Sequence, residues 1–193
     1  MNPKMKPETI QFRFDERKAT AASSHLLQLA GGAMPYLQLI KLLYLSDRES
    51  LELFGRPVSG DRYVAMKHGP VLSSVYDLIK LTVSGKPSRG PWAEHIESAG
   101  RYELRLRMKP DLGPLSDAEV KLIASVYDRF RNHDRWRLRD ETHALKEWEA
   151  PGESSREIPL EEILQALGKG EDEIEEVRQT AREGAYFDSI FGA

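Results

Sequence analysis

The side chains of this chain that could do chemistry are its histidines and its acidic residues. The histidines are His25, His68, His95, His133 and His143. None of them stands at a spacing typical of metal ligands. The carboxylates of Asp47, Glu49 and Glu52 share one predicted helix but point in different directions around it, which indicates a solvated face rather than an acid–base pair. No phosphate-binding loop or nucleophile elbow is present. We therefore expect no catalytic residue, no cofactor and no metal.

Basic residues form two clusters that could contact a partner. Arg105, Arg107 and Lys109 alternate along a predicted strand. They either bind a partner or protect a solvated strand edge from aggregation. The arginines of segment 135–139 surround Trp136, and basic residues mixed with aromatic rings occur in nucleic-acid-binding proteins. Because the net charge is −3, we favour Trp136 in the core with the arginines outside.

The composition indicates a soluble protein with a sizeable core. The chain has 193 residues, of which 40% are hydrophobic and 31% are charged, as expected for one domain with a tail. The absence of cysteine excludes disulfides and thiolate catalysis and indicates a reducing compartment. The N-terminal segment 1–14 has no apolar stretch typical of a secretory signal, and no run long enough to span a membrane occurs. We expect a cytoplasmic protein.

Helical periodicity and helix caps account for most of the chain. Asp15 is predicted to cap a first helix. A second helix begins at Pro35 and ends at Gly55, with apolar residues at helical spacing along one face. Ser116 and Glu119 have the spacing of a capping box before another helix. A mostly polar helix is predicted over 171–183. It is followed by four apolar residues, Tyr186, Phe187, Ile190 and Phe191.

Gly69 and Pro70 are predicted to open a third helix. Proline fixes φ and needs no N–H in a first helical turn, and glycine tolerates a backbone conformation that other residues resist. We expect Gly69 to adopt such a conformation. The neighbouring His68 is either a hinge residue beside a partner surface or a histidine whose ring bonds to the adjacent loop.

Two segments change from helical to strand periodicity. Segment 62–66 reads as a short strand, and segment 93–109 reads as a β-hairpin with Leu104 on its apolar face. The predicted fold class is therefore mainly α (α+β): a compact helical domain with a small two- to three-stranded antiparallel β element. The residues expected to be buried are Leu43, Val75, Leu104, Ile123 and Phe130. We divide the chain into an extension (1–14), a domain (15–170) and a C-terminal helix with an apolar tail (171–193).

Several motifs together resemble the Panacea (SocA-like) antitoxin domain family. They are KLLYLSDR at 41–48, GRPVSGDRYVAMKHGPV at 55–71 and YDLIK at 76–80, with LSDAE at 115–119 and ETHALKEWEA at 141–150 resembling its later helices. Ala144 departs from the acidic residue that the family often has. The resemblance covers roughly residues 15–170. It implies a mostly helical fold with a small β element, and it implies that the motif residues Tyr44, Gly69, Pro70, Tyr76 and His143 are structural.

The resemblance also implies a function. Members act as antitoxins in bacterial two-gene toxin–antitoxin systems and phage-linked loci, where they neutralise toxins by direct protein–protein binding. One similar member delivers its toxin to a bacterial protease as an adaptor. We expect a cognate toxin as the partner, with a protease as a second partner in the adaptor alternative. No membrane partner is expected.

A DNA-binding regulator is a further alternative, since helices followed by a β-hairpin also describe a winged helix. DNA is less favoured than a toxin, and an enzyme is least favoured. The candidate partner-binding residues are charged groups expected to be exposed near the hinge and on the hairpin: Asp47, Arg48, Arg62, His68, Arg105 and Arg107. The apolar residues between Tyr186 and Phe191 are the rival site.

Overall fold

The computed structural model describes residues 9–191. The helices are α1 (Glu16–Leu29), α2 (Tyr36–Phe54), α3 (Ser73–Val83), α4 (Pro91–His95), α5 (Asp117–Phe130), α6 (Arg135–His143), α7 (Leu160–Ala166) and α8 (Glu171–Phe191). The strands are β1 (Ala33–Pro35), β2 (Tyr63–Met66), β3 (Gly69–Leu72), β4 (Ile96–Ser98), β5 (Glu103–Leu106) and β6 (Arg156–Ile158). The predicted mainly α fold with a small antiparallel β element is confirmed. Within this range no helix combines the length and apolar character needed to cross a membrane.

Helix α2 lies at the centre of the core. It packs against α1, α5, α6 and β3, and its buried residues include the six consecutive positions 39–44, which face all directions around the helix. A helix that is apolar around most of its circumference must be covered by neighbours on several sides. Gly55 ends α2 in the left-handed conformation, with φ of 65°, which glycine adopts without a steric penalty.

The helix caps predicted from the sequence are confirmed. The Lys18 backbone N–H donates to the Asp15 carboxylate over 3.0 Å at the start of α1. Ser116 and Glu119 form a reciprocal capping box at the start of α5. These caps depend on residues within one helical turn, so the local sequence is sufficient to specify them.

The prediction that Pro70 begins a helix is wrong. Residues 69–72 form β3, which pairs with β2 across a turn at Lys67 and His68, and α3 begins at Ser73. Proline is tolerated there because β3 is the edge strand of its sheet. The Asp61 carboxylate accepts hydrogen bonds from the backbone N–H groups of Ser74 and Val75, each 3.0 Å long, and so caps α3 from outside the helix.

The two predicted strand segments belong to different sheets. Strand β2 lies between β3 and β6, whereas the hairpin of β4 and β5 pairs with β1. In the hairpin, Ile96 is opposite Leu106 and Glu97 is opposite Arg105. Residues 93–95, predicted to belong to the hairpin, instead form the end of the short helix α4.

Four of the five residues expected in the core are buried, namely Leu43, Val75, Leu104 and Ile123. Phe130 is only partly buried, because it lies at the last residue of α5, where the helix leaves the core. Trp136 is 46% exposed, so its predicted core position is wrong. The buried residues of α6 are Leu138 and Thr142.

Helix α8 extends further than predicted. It continues through the tail to Phe191, and the four apolar tail residues Tyr186, Phe187, Ile190 and Phe191 are all more than half exposed. Its last buried position is Ala181. The end of α8 therefore carries an apolar surface that the rest of the described chain does not cover.

Candidate functional site

A groove of about 390 Å³ opens where α2, the β2–β3 turn, α3 and α6 meet. We call it the aromatic groove. It is lined by Pro35, Tyr36, Leu37, Ile40, Met66, Lys67, His68, Gly69, Val71, Tyr76, Tyr102, Arg135 and Trp136. A concave, mostly apolar surface with a few polar groups is typical of binding sites.

Backbone contacts hold the aromatic rings of the groove in place. The Tyr36 N–H donates to the Tyr102 carbonyl over 2.9 Å, and the two rings lie 6.3 Å apart. The Asp134 carboxylate caps α6 by accepting from the Trp136 N–H over 2.9 Å. This cap fixes Trp136 in the first turn of the helix, where its ring meets the His68 ring edge-on at 6.4 Å.

Cations lie over several of these rings. The guanidinium groups of Arg135 and Arg139 lie 5.1 and 5.2 Å from the centre of the Trp136 ring, and that of Arg101 lies 5.2 Å from the Tyr102 ring. At such distances the electron-rich ring face attracts a cation. The rings therefore orient Arg135, which lines the groove, and Arg101 and Arg139 beside it.

Some of the cations near the groove already have carboxylate partners. Lys80, whose ammonium lies 4.8 Å from the Tyr76 ring, pairs with Asp77 at 2.6 Å. Arg139 pairs with Asp140 at 2.6 Å. Within residues 9–191, Lys67, Arg101 and Arg135 form no ion pair, although the Arg135 guanidinium adds to the hydrogen bond from the Arg137 N–H in lowering the pKa of the neighbouring Asp134 carboxylate. These three cations give the rim and its border an excess of positive charge.

The surroundings of Tyr36 shift the pKa of its hydroxyl. Burial raises the pKa of its hydroxyl, and the hydroxyls of Tyr76 and Tyr102 act in the same direction. The guanidinium groups of Arg135 and Arg101 oppose this rise in pKa. The raised pKa keeps the Tyr36 hydroxyl protonated, so it remains a hydrogen-bond donor.

Beneath the groove, the β2–β3 turn packs closely against α2 and α6. Gly69 has a φ of 91°, which confirms the predicted unusual conformation. A Cβ at this position would lie 2.7 Å from the Thr142 hydroxyl and 2.8 Å from the Lys41 ammonium. Glycine is thus required both by the backbone conformation and by the lack of space.

Lys41 joins α2 to this turn from the inside. Its side chain is fully buried, and Nζ donates to the Pro70 carbonyl over 2.6 Å. Burial lowers the pKa of the Lys41 ammonium to about 7. Because Pro70 has no N–H of its own, this hydrogen bond occupies the polar backbone group of Pro70 and fixes β3 to α2.

His143 and Trp148 attach the end of α6 to the same hairpin. Their rings stack 3.9 Å apart and nearly parallel, and the Trp148 indole N–H donates to the Met66 carbonyl over 3.3 Å. Burial is the largest cause of a lowered pKa for His143, and the charge of Lys41 adds to it. The hairpin is therefore fixed to α6 as well as to α2.

Asp47 is buried, contrary to the expectation that it is an exposed contact on a solvated face. Its carboxylate accepts hydrogen bonds from the Val58 and Ser59 N–H groups, the Ser59 hydroxyl and the Tyr63 hydroxyl, at 3.0, 3.1, 2.6 and 3.2 Å. Burial raises the pKa of Asp47 to about 6, while the bonds from Ser59 and Tyr63 oppose that rise. Asp47 therefore organises the turn after α2.

Arg48 is also engaged within the fold. Its Nε donates to the Glu147 carboxylate over 2.7 Å, and the Tyr44 hydroxyl donates to the same oxygen over 3.0 Å. Glu147 is buried. Tyr44 and Arg48 thus fix the segment after α6 to α2.

The remaining candidate residues are exposed and lie in three separate places. Arg105 and Arg107 both pair with Glu97 across the hairpin, at 2.7 and 3.4 Å. Arg62 precedes β2 and borders a different depression. His68 is the member of the predicted set that lines the aromatic groove. Partner binding by these four residues stays a prediction.

The sequence interpretation missed most of the groove. Tyr36 and Tyr102 were not among the candidates, and Trp136 was placed in the core with the neighbouring arginines outside. The signal was present in segment 135–139, where arginines alternate around Trp136. Among the described residues, no group of histidine, aspartate and glutamate could hold a metal ion.

Comparison with known proteins gives one match. A family model described as antitoxin SocA-like, Panacea domain, matches residues 39–149. That range includes Lys41, Asp47, Gly69 and His143, together with most of the aromatic groove. No curated protein and no solved structure matches the chain.

Proposed function

The chain belongs to the Panacea-domain family of SocA-like antitoxins, and from this we propose that it neutralises a cognate toxin by binding it directly. The family match over residues 39–149 is the observation that carries the proposal. The match also confirms the resemblance seen in the motifs at 41–80. A binding function requires an exposed surface with residues suited to protein contacts.

We place the toxin contact at the aromatic groove. Tyr102 and Trp136 are 47% and 46% exposed, and arginines lie against both rings. Tryptophan, tyrosine and arginine are the residue types that most often dominate the energy of protein–protein interfaces. The neighbouring apolar lining provides surface that a partner side chain can bury.

A proteolytic adaptor is the second candidate, and one observation favours it. An adaptor needs one surface for the toxin and another for the protease. The apolar end of α8, around Phe187 and Phe191, is exposed and lines no part of the aromatic groove. This surface supports the adaptor proposal as a second docking face.

The direct test is co-expression with the product of the neighbouring gene. We expect growth rescue, co-purification as a one-to-one complex and no turnover of any substrate. Trp136→Ala and Tyr102→Ala should weaken rescue, whereas Leu53→Ala, which alters an exposed residue of α2 outside the groove, should not. Alanine variants of Arg62, His68, Arg105 and Arg107 test the candidates predicted from the sequence in the same assay.

Three outcomes would redirect the proposal. If removal of residues 185–193 abolishes rescue while the groove variants retain it, the interface lies on α8. Loss of the toxin only in cells that contain a particular protease selects the adaptor. Binding to the gene's own promoter at physiological salt, with a steep salt dependence and no effect on a toxin, selects the DNA-binding regulator.

A further inference from the structure

We propose that the aromatic groove recognises an acidic segment of its protein partner that carries one large apolar anchor residue. The identity of that partner as a toxin rests on the proposed function, whereas the chemistry of the segment follows from the groove itself. Two properties of the groove support the proposal: the charge of its rim and the apolar character of its lining.

The rim has an excess of positive charge. Lys67 and Arg135 line the groove, Arg101 lies beside it, and none of the three forms an ion pair among residues 9–191. The nearby carboxylates of Asp77 and Asp140 are paired with other cations. Asp134, next to Arg135, partly offsets its charge but is engaged by the Trp136 and Arg137 N–H groups at the start of α6. This excess occurs in a chain with a net charge of −3. A neutral partner would cover these cations without compensation, which is costly, whereas an acidic segment supplies the missing partners.

The two arginines are positioned before any partner arrives. Each guanidinium lies about 5 Å from an aromatic ring, Arg101 over Tyr102 and Arg135 over Trp136. A stacked guanidinium keeps its N–H donors available and matches the two oxygens of a carboxylate. Because the rings restrict the arginine side chains, less conformational freedom is lost when a carboxylate binds.

The interior of the groove fits an apolar anchor. Leu37, Ile40 and Val71 contribute to its lining, together with Met66. Methionine is flexible and polarisable, so it adapts to aromatic or aliphatic side chains. The volume of about 390 Å³ accommodates a large side chain, and the carboxylates on either side of it then reach the cationic rim.

The experiment measures binding of the purified product of the neighbouring toxin gene by titration calorimetry at low and high salt. The test variant carries Lys67→Glu, Arg101→Glu and Arg135→Glu. The control variant carries Lys86→Glu, Arg89→Glu and Lys121→Glu, which change the net charge equally at exposed positions outside the groove. We expect the groove variant to lose roughly a hundredfold in affinity and most of its salt dependence, while the control stays close to wild type.

A crosslinking measurement identifies the bound segment. The photoreactive residue p-benzoylphenylalanine replaces Tyr102 in the co-expressed complex, and mass spectrometry locates its attachment in the toxin. We expect a segment in which aspartate or glutamate flanks an apolar residue. The same replacement at Tyr186 reports on the end of α8 and is the positional control.

The outcomes separate this proposal from the proposed function. If wild type forms no complex with the toxin, both fail. If Trp136→Ala weakens the complex but the groove charge reversal does not, or if the crosslink maps to a basic segment, the toxin site stands and the acidic-segment proposal is overturned. Competition between oligothymidine and the toxin for the groove would also overturn it, since single-stranded nucleic acid uses rings and cations together.

Discussion

Charged groups have different surroundings in two regions of the molecule, the core behind Gly69 and the aromatic groove in front of it. On the inner side, Lys41, Asp47 and Glu147 are buried and hydrogen-bonded within the fold. On the outer side, Arg101 and Trp136 are exposed at the aromatic groove. The buried residues of the recognised motifs thus act mainly as a scaffold. Of the exposed groups suited to a partner, Arg101, Tyr102 and Trp136 lie outside those motifs, although the β2–β3 turn that lines the groove lies within them.

This difference predicts two kinds of mutational effect. Substitutions on the inner side should reduce the free energy of unfolding, because they leave buried polar groups without partners or force atoms together. Substitutions in the groove should leave stability nearly unchanged and weaken binding. A buried substitution that leaves stability unchanged, or a groove substitution that unfolds the protein, would contradict this distinction.

The largest expected loss of stability comes from Glu147→Ala. This change leaves the Tyr44 hydroxyl and the largely buried Arg48 without their common acceptor, at a cost of about 3–5 kcal/mol. Urea unfolding followed by circular dichroism measures it. Glu149→Ala, which removes a largely exposed carboxylate nearby, should change stability by less than about 0.5 kcal/mol. Equal effects of the two changes would show that burial of Glu147 is unimportant.

Gly69→Ala should have the next largest effect, about 2–3 kcal/mol from the positive φ and the crowding against Thr142 and Lys41. Gly85→Ala is the matched control, because Gly85 also has a positive φ, of 66°, but a Cβ there meets no atom within 4 Å. The difference between the two variants in urea unfolding isolates the crowding. Gly69→Val should yield little soluble protein, and a stable, active Gly69→Val would show that the turn can rearrange.

Lys41 should give stability a particular pH dependence. Its pKa falls from 10.5 for a free lysine side chain to about 7 in the fold, so between these values the unfolded state binds the extra proton. The contribution of Lys41 to stability therefore rises as pH increases from 7 toward 10. Lys41→Met should abolish that rise in the urea midpoint, and an unchanged pH profile would contradict the assignment.

Asp47 should act in the opposite direction at lower pH. Its pKa rises from 3.8 to about 6 on folding, so in this window the folded state binds the extra proton. The contribution of Asp47 to stability is therefore present below about pH 4 and is lost as pH rises through 6. Asp47→Asn should flatten the urea midpoint between these pH values, whereas a profile identical to wild type would contradict the raised pKa.

Trp136→Ala should have the smallest effect on stability, within about 0.5 kcal/mol, because the ring is half exposed. Its effect on toxin affinity should be about thirtyfold or more. Thermal melting and titration calorimetry on the same preparation measure the two quantities. A large loss of stability with no change in affinity would show that Trp136 packs in the core, as the sequence interpretation proposed.

The parts of the fold that were predictable depend on local interactions. The cap at Asp15, the capping box at Ser116 and the end of α2 at Gly55 each involve residues within a few positions of one another. The hairpin of β4 and β5 was also found, because alternation and a short turn act over a limited range.

The parts that were missed depend on residues distant in sequence. Pro70 is compatible with the start of a helix or with an edge strand, and the choice is set by pairing with β2 and by Asp61. The burial of Asp47 depends on the turn that folds back over it. The groove brings together rings at positions 36, 76, 102 and 136, and no periodicity within a single element indicates that they meet.

The position of Asp61 also bears on the order of folding. The cap of α3 comes from a residue before β2, so it forms only when the β2–β3 hairpin has closed. A helix of 11 residues gains little stability alone in water, and α3 therefore depends on that closure for its first turn. In refolding followed by hydrogen exchange, the Val75 amide should acquire protection together with the amides of the hairpin, and not before them.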